Sequence, residues 1–171
     1  YFENSRRAVA VQREYTRRNP LGFVGYDESC WGLAACDGLG DDFPNNRHDP
    51  RHFAGYAARG VPYGPDDGTL AGWGALASLP FAPDAVLEAV RSMQQRYPEM
   101  MPSHRYASSF NPSFSGAESG WVSRGSFGLD QGIVIMMIEN HRTGLIWRLL
   151  RTCPYIGGGL RRAGVSGGWL Q

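Results

Sequence analysis

Apolar positions along the chain fall into helix-length runs separated by glycine- and proline-rich text. From Phe2 to Asn19, Phe2, Val9 and Tyr15 stand among Arg and Gln at helical spacing, and Asn19-Pro20 ends the run, so a helix is expected there. Leu21 to Gly40 is aromatic and punctuated by glycine, which predicts loop or short strand. Asp41 to Pro65 is polar and without period, and reads as a long surface loop. Leu70 to Phe81 is built from small residues that let helices approach closely, which predicts an inner helix. Ala82 to Tyr97 is the clearest amphipathic helix, with Pro83 in its first turn and Val86, Leu87, Val90, Met93 and Tyr97 near one face. Met101 to Leu129 is again irregular. Asp130 to Asn140 is apolar enough for a buried helix, Thr143 to Thr152 forms another before Pro154, and the tail offers one short helical turn around Gly159 to Ala163. The predicted fold class is all-α, with connections at residues 22–65 and 101–128 far longer than those of simple bundles, as suits a scaffold carrying its site on loops.

Composition narrows the function. With 171 residues the chain can bury one sizeable core, and a hydrophobic share of 42% with 19% charged residues marks it as globular. A formal net charge of +1 provides no field to draw in nucleic acid or an acidic membrane. No apolar run approaches the roughly 20 residues that span a bilayer. Cys30, Cys36 and Cys153 are an odd count without metal-ligand spacing and read as small buried thiols; export would permit one disulfide without fixing the pair. His48 and His52 have the i, i+4 spacing of a metal pair, but in a polar loop they read as surface residues rather than a zinc site. Neither a metal nor an organic cofactor is expected. The glycines of 157–159 lack the lysine and the strand–helix setting of a phosphate loop.

The candidate chemistry lies in carboxylates flanked by aromatics. Asp27, Glu28 and Asp37 share a loop with Tyr26 and Trp31; Asp66 and Asp67 precede the small-residue helix; Asp130 opens the apolar helix that carries Glu139. Hydrolysis of a glycosidic bond needs one protonated acid and one base or nucleophile, and aromatic faces stack on sugar rings. Capping is the competing role, because a carboxylate ahead of a helix accepts backbone N–H bonds. For Asp67 the cap is the favoured reading; for Asp130 a cap and a base can be one residue. Glu139, in an apolar helix, is expected to pair with Arg142.

Five blocks occur together in order. They are GYDESCWGLAACDG from Gly25 to Gly38, VPYGPDDGTLAGWGALASLPFAP from Val61 to Pro83, SFNPSF from Ser109, GWVS from Gly120, and FGLDQGIVIMMIENHRTGLIWRLL from Phe127 to Leu150. Together they resemble the signature of the glucoamylase-like family of bacterial glycoside hydrolases, departing from it at Ile133, where Pro is usual, and at His141, where Tyr is usual. The resemblance implies an (α/α)6 toroid, of which residues 1–171 would be the C-terminal portion. It also implies cleavage of a glucan, with β-1,2-glucan the expected substrate since relatives include endo-β-1,2-glucanases. On that basis Asp130 is the expected general base and Glu28 a candidate acid. Tyr26, Trp31, Asp37, Asp67, Trp121 and Gln131 are expected to contact substrate. The chain opens without Met inside a helical pattern, so further sequence upstream, a periplasmic or secreted location and an apolar face left open by absent neighbours are expected. The alternative is a non-catalytic carbohydrate-binding or scaffolding domain of glucan synthesis.

Overall fold

The computed structural model describes residues 1–40, 53–100, 106–114 and 120–170. His48 and His52 lie outside the described residues. Among the described residues the regular structure is mainly helical, with two short two-stranded sheets.

Helix α1, Phe2–Arg18, ends where the sequence requires. Asn19 takes the left-handed conformation that ends helices and clamps the chain after it: its side-chain oxygen accepts the Phe23 N–H and its side-chain nitrogen donates to the Phe23 carbonyl, each at 2.8 Å. After a turn at 27–30, strand β1, Ala35–Cys36, pairs antiparallel with β2, Ala57–Ala58. Helix α2 is shorter than expected, Gly72–Ala77. Leu70 is drawn into a β-bridge with Phe110, and Ser78 to Ala82 form turns. Gly32 packs directly on the start of α2: its φ is +135°, and a Cβ there would come within 2.5 Å of the Ala71 carbonyl oxygen, so only glycine fits.

Helix α3, Pro83–Arg96, buries Val86 and Met93 as expected, but Leu87 is 46% exposed. Ala85 and Ala89 take its place on the buried face, so that face is rotated toward the small residues. The core gathers Val9 of α1, Trp31, Leu70, Ala75, Val86, Met93 and Phe110. Strand β3, Phe110–Asn111, runs through the middle of the described loops, with Leu70 on one edge and β4, Trp121–Val122, on the other.

Helix α4, Gly128–Arg142, differs from the expected buried helix. Its buried residues are Asp130 and Asn140, while Leu129 is 84% and Ile135 66% exposed and Ile133 and Met136 are open as well. The helix is apolar around much of its girth, but only one side meets α2 and the loops. Glu139 pairs with Arg142 and also accepts the Thr143 hydroxyl at 2.5 Å. Gly144, at φ +69°, turns the chain into α5, Leu145–Thr152. There the buried Asn140 side chain accepts the Trp147 N–H at 3.0 Å and staples α5 to α4. The tail holds more helix than its three glycines suggest: α6, Pro154–Arg162, starts on Pro154 at the position where proline is favoured. Cys30, Cys36 and Cys153 are all free thiols. Among the described residues no helix is long and apolar enough to cross a membrane.

Candidate active site

The segment Ser108–Asn111 ties three acid-bearing loops together. Backbone bonds fix it on both edges: Leu70 and Phe110 exchange N–H···O bonds at 2.8 and 2.9 Å, the Ser123 N–H donates to the Ser109 carbonyl, and the Ser108 N–H donates to the Gly125 carbonyl. Each polar side chain of this segment reaches a different loop. The Ser108 hydroxyl donates to Asp130 Oδ2 at 2.8 Å. The Ser109 hydroxyl donates to the Asp37 carbonyl at 2.6 Å. Asn111 Nδ2 donates to the Asp67 carbonyl and to Thr69 Oγ1, both at 3.0 Å.

Asp130 is not an N-cap. Phe127 occupies that position, and Asp130 sits in the first turn of α4, buried, with its carboxylate toward Ser108. It remains at the helix end whose N–H groups favour negative charge. Gln131 beside it donates from Nε2 to the Tyr106 carbonyl at 3.3 Å, and the Ser126 hydroxyl donates to the same oxygen at 3.0 Å. The start of α4 is thus pinned at Tyr106 and at Ser108. Asp37 is half-buried, and no hydrogen bond reaches its carboxylate from the described residues. Trp121, opposite Asn111 in the β3–β4 register, is half-buried against Leu39, Phe53 and Phe114.

Asp67 is not a helix cap either, since α2 begins at Gly72 with Ala71 as its N-cap. Its two oxygens are filled inside the protein. Arg59 Nε and Nη2 bind them side by side at 2.8 Å, and the Thr69 and Ala54 N–H groups donate at 3.1 and 2.9 Å. The pair is sequestered, with side-chain exposures of 0% for Arg59 and 9% for Asp67. Burial pushes the Asp67 carboxyl up, but the Arg59 ion pair and the hydrogen bonds from Thr69 and Ala54 outweigh it and hold the group below the ordinary carboxylate range. Arg59 also donates to the carbonyls of Cys36, Ala54 and Gly55, so one guanidinium locks β1, β2 and the 66–69 turn. Asp67 therefore has no free lone pair to offer a sugar hydroxyl, which corrects the expected substrate contact.

Tyr26 and Trp31 are core residues rather than open sugar platforms. Trp31 is enclosed, and its indole Nε1 has no hydrogen-bond partner among the described residues. The Tyr26 hydroxyl donates to Asp66 Oδ1 at 2.6 Å while Tyr15 donates to Oδ2 at 2.8 Å, which clamps α1 to the loop before α2. Burial first, then the Asp66 charge, pushes the Tyr26 hydroxyl far above its usual range; burial and the Asp66 hydrogen bond push Tyr15 up to about 12. Glu28 is not joined to this group: it lies exposed on the 27–30 turn, where its carbonyl accepts Arg13 Nε at 3.3 Å.

Arg59, Asp66, Ser108 and Asn111 were not among the expected site residues. The Asp66-Asp67 pair was the one visible hint of the two clamps. Among the described residues no group of His, Cys, Asp and Glu is arranged to hold a metal ion. A groove of about 300 Å³ along α1, lined by Glu3, Arg6, Arg7 and Arg13 with Phe81 and Ala82, contains none of the candidate acids and is not this site.

Comparison with known proteins places this geometry in a family. The chain is 34% identical over 163 residues to an exo β-1,2-glucooligosaccharide sophorohydrolase (non-reducing end) of Parabacteroides distasonis, covering 95% of this chain and 20% of that protein. It matches the crystal structure of a β-1,2-glucanase from Parabacteroides distasonis with a TM-score of 0.75 at 33% identity, over 95% of this chain and 21% of the other. An endo-β-1,2-glucanase from Chitinophaga pinensis, solved with sophorotriose and glucose, matches with a TM-score of 0.75 at 26% identity, over 95% of this chain and 34% of the other. The chain thus spans between about a fifth and a third of the length of these relatives, and its helices form a portion of their toroidal fold. The family model described as "Putative glucoamylase" matches residues 1–154, and the chain belongs to that family, the Glycoamylase family.

Proposed function

We propose that the protein carrying this chain is a glycoside hydrolase that cleaves β-1,2-glucan by general acid–base catalysis, with Asp130 as the base that activates water. The observation that carries the reading is the 34% identity, along 95% of the chain, to a sophorohydrolase acting on β-1,2-glucooligosaccharides. The local geometry supports the role given to Asp130. Its carboxylate is buried at the start of a pinned helix, Oδ2 is held by Ser108, and Oδ1 accepts no hydrogen bond from the described residues. A base needs one oriented oxygen open to water. Asp37, whose carboxylate accepts no hydrogen bond from the described residues, is offered as an acidic contact for sugar hydroxyls, half-buried Trp121 as a stacking face, and Gln131 as the residue that orients its neighbour through Tyr106. Glu28, exposed on another turn, is not part of this group. In this reading the protein works in the periplasm or outside the cell, where glucan is met.

Incubating the protein with linear β-1,2-glucan, β-1,3-glucan and starch, and following new reducing ends, tests the proposal. Release of oligosaccharides from β-1,2-glucan alone supports it. Binding without cleavage would favour a carbohydrate-binding domain, and cleavage of starch alone would overturn the linkage.

A further inference from the structure

We propose that Ser108 is a positioning residue for Asp130, fixing which carboxylate oxygen is presented to water; this rests on the reading of Asp130 as the base. A carboxylate at a helix start has two soft torsions, and nothing in the helix itself selects between its oxygens. Here the selection comes from outside. Ser108 is buried, its hydroxyl lies 2.8 Å from Asp130 Oδ2, and no other hydrogen bond from the described residues reaches that carboxylate. A hydroxyl is useful as a positioning group only if its own backbone is fixed, and that of Ser108 is. The Ser108 N–H is bonded to the Gly125 carbonyl, and the next residues sit between Leu70 and β4. The partner is fixed as well, because Gln131 and Ser126 both hold the Tyr106 carbonyl two residues before Ser108. Two rigid elements therefore meet at the Ser108–Asp130 hydrogen bond, with the Gln131–Tyr106 bond beside it.

The test compares Ser108→Ala, Ser108→Thr and Asp130→Asn with the unaltered protein on linear β-1,2-glucan, with melting temperature recorded for each. A hydrogen bond to a charged group lost at the reacting residue should lower kcat roughly 10- to 100-fold in Ser108→Ala. KM should stay within about twofold, because the interaction serves the transition state rather than substrate binding. Ser108→Thr, which keeps the hydroxyl, should restore most of the rate. Near-normal kcat in Ser108→Ala with Asp130→Asn disabled overturns the role of Ser108 and leaves Asp130 as the base. A fall in kcat that tracks a fall in melting temperature, or that threonine fails to rescue, reduces Ser108 to a packing residue. Near-normal turnover in Asp130→Asn removes the base and the positioning role together.

Discussion

Replacing Arg59 by Met removes one half of a buried ion pair and leaves the other half in place. The side chain is fully enclosed, and its head group donates to both oxygens of Asp67 and to the carbonyls of Cys36, Ala54 and Gly55. Methionine fills most of the volume but donates nothing, so the Asp67 carboxylate keeps only the N–H bonds from Ala54 and Thr69. Breaking a buried pair from one side costs about 3–5 kcal/mol, since a desolvated charge is stranded. For a chain of this size each kcal/mol moves the melting temperature by about 2–4 °C, so a fall of roughly 6–20 °C is expected by calorimetry. The pH dependence should change too. The Asp67 carboxyl lies below its ordinary range in the folded protein, so the stability it contributes is present above the unfolded value near 3.9 and is lost as pH falls through the folded value. Arg59→Met should flatten that acid limb. Adding Asp67→Leu should recover much of the loss, because a pair replaced by apolar groups is often tolerated. An Arg59→Met protein melting within about 2 °C of the unaltered one, with the acid limb intact, would show that Arg59 is not the lock of these loops.

Three further outcomes are expected. Tyr26→Phe removes a hydrogen bond to a carboxylate and should cost about 1.5–3 kcal/mol by denaturant unfolding; with Tyr15 pushed up to about 12, its contribution is present below the unfolded value near 10 and is lost as pH rises through the folded one, which absorbance titration of tyrosinate will follow. Burial pushes the thiols of Cys30 and Cys36 up to about 12 and about 11, so alkylation of the native protein at neutral pH should label the half-buried Cys153 first, as read by peptide mass spectrometry. Gly32→Ala must force a Cβ against the Ala71 carbonyl at an unfavourable φ, and should lower stability by about 1–3 kcal/mol or more, measured by urea unfolding.

Period and punctuation were reliable guides to the helices that face the core from one side. The Asn19-Pro20 stop, the Pro83 start and the apolar spacing of α3 were all legible, with Leu87 the one position misassigned. Helix α2 was overextended because small residues carry no signal of the β-bridge that claims Leu70. Helix α6 exceeds the one turn expected around Gly159 to Ala163, and it is Pro154 that supplies its start. Apolar content made α4 look buried, but content does not say which side of a helix has a neighbour. At the candidate site, acids and aromatics that are neighbours in sequence part company in the fold. Tyr26 and Trp31 adjoin Asp27 and Glu28 in sequence yet turn into the core, while the loops of Asp37, Asp67 and Asp130 meet through Ser108, Ser109 and Asn111. Those three residues are short and polar in a segment without period, and their importance comes from contacts made 22 to 72 residues away in the chain.

Replacing Asp130 by Asn keeps the shape and the hydrogen bond acceptor for Ser108 while removing the proton acceptor. Turnover of linear β-1,2-glucan and melting temperature should be measured on the same preparation. Loss of a general base should lower kcat roughly 10²–10⁴-fold, while loss of a favourable charge in the first turn of α4 should cost only about 0.3–1 kcal/mol of stability. A large fall in turnover at nearly unchanged melting temperature is the expected result; turnover close to that of the unaltered protein would contradict Asp130 as the base and leave it a structural residue of α4.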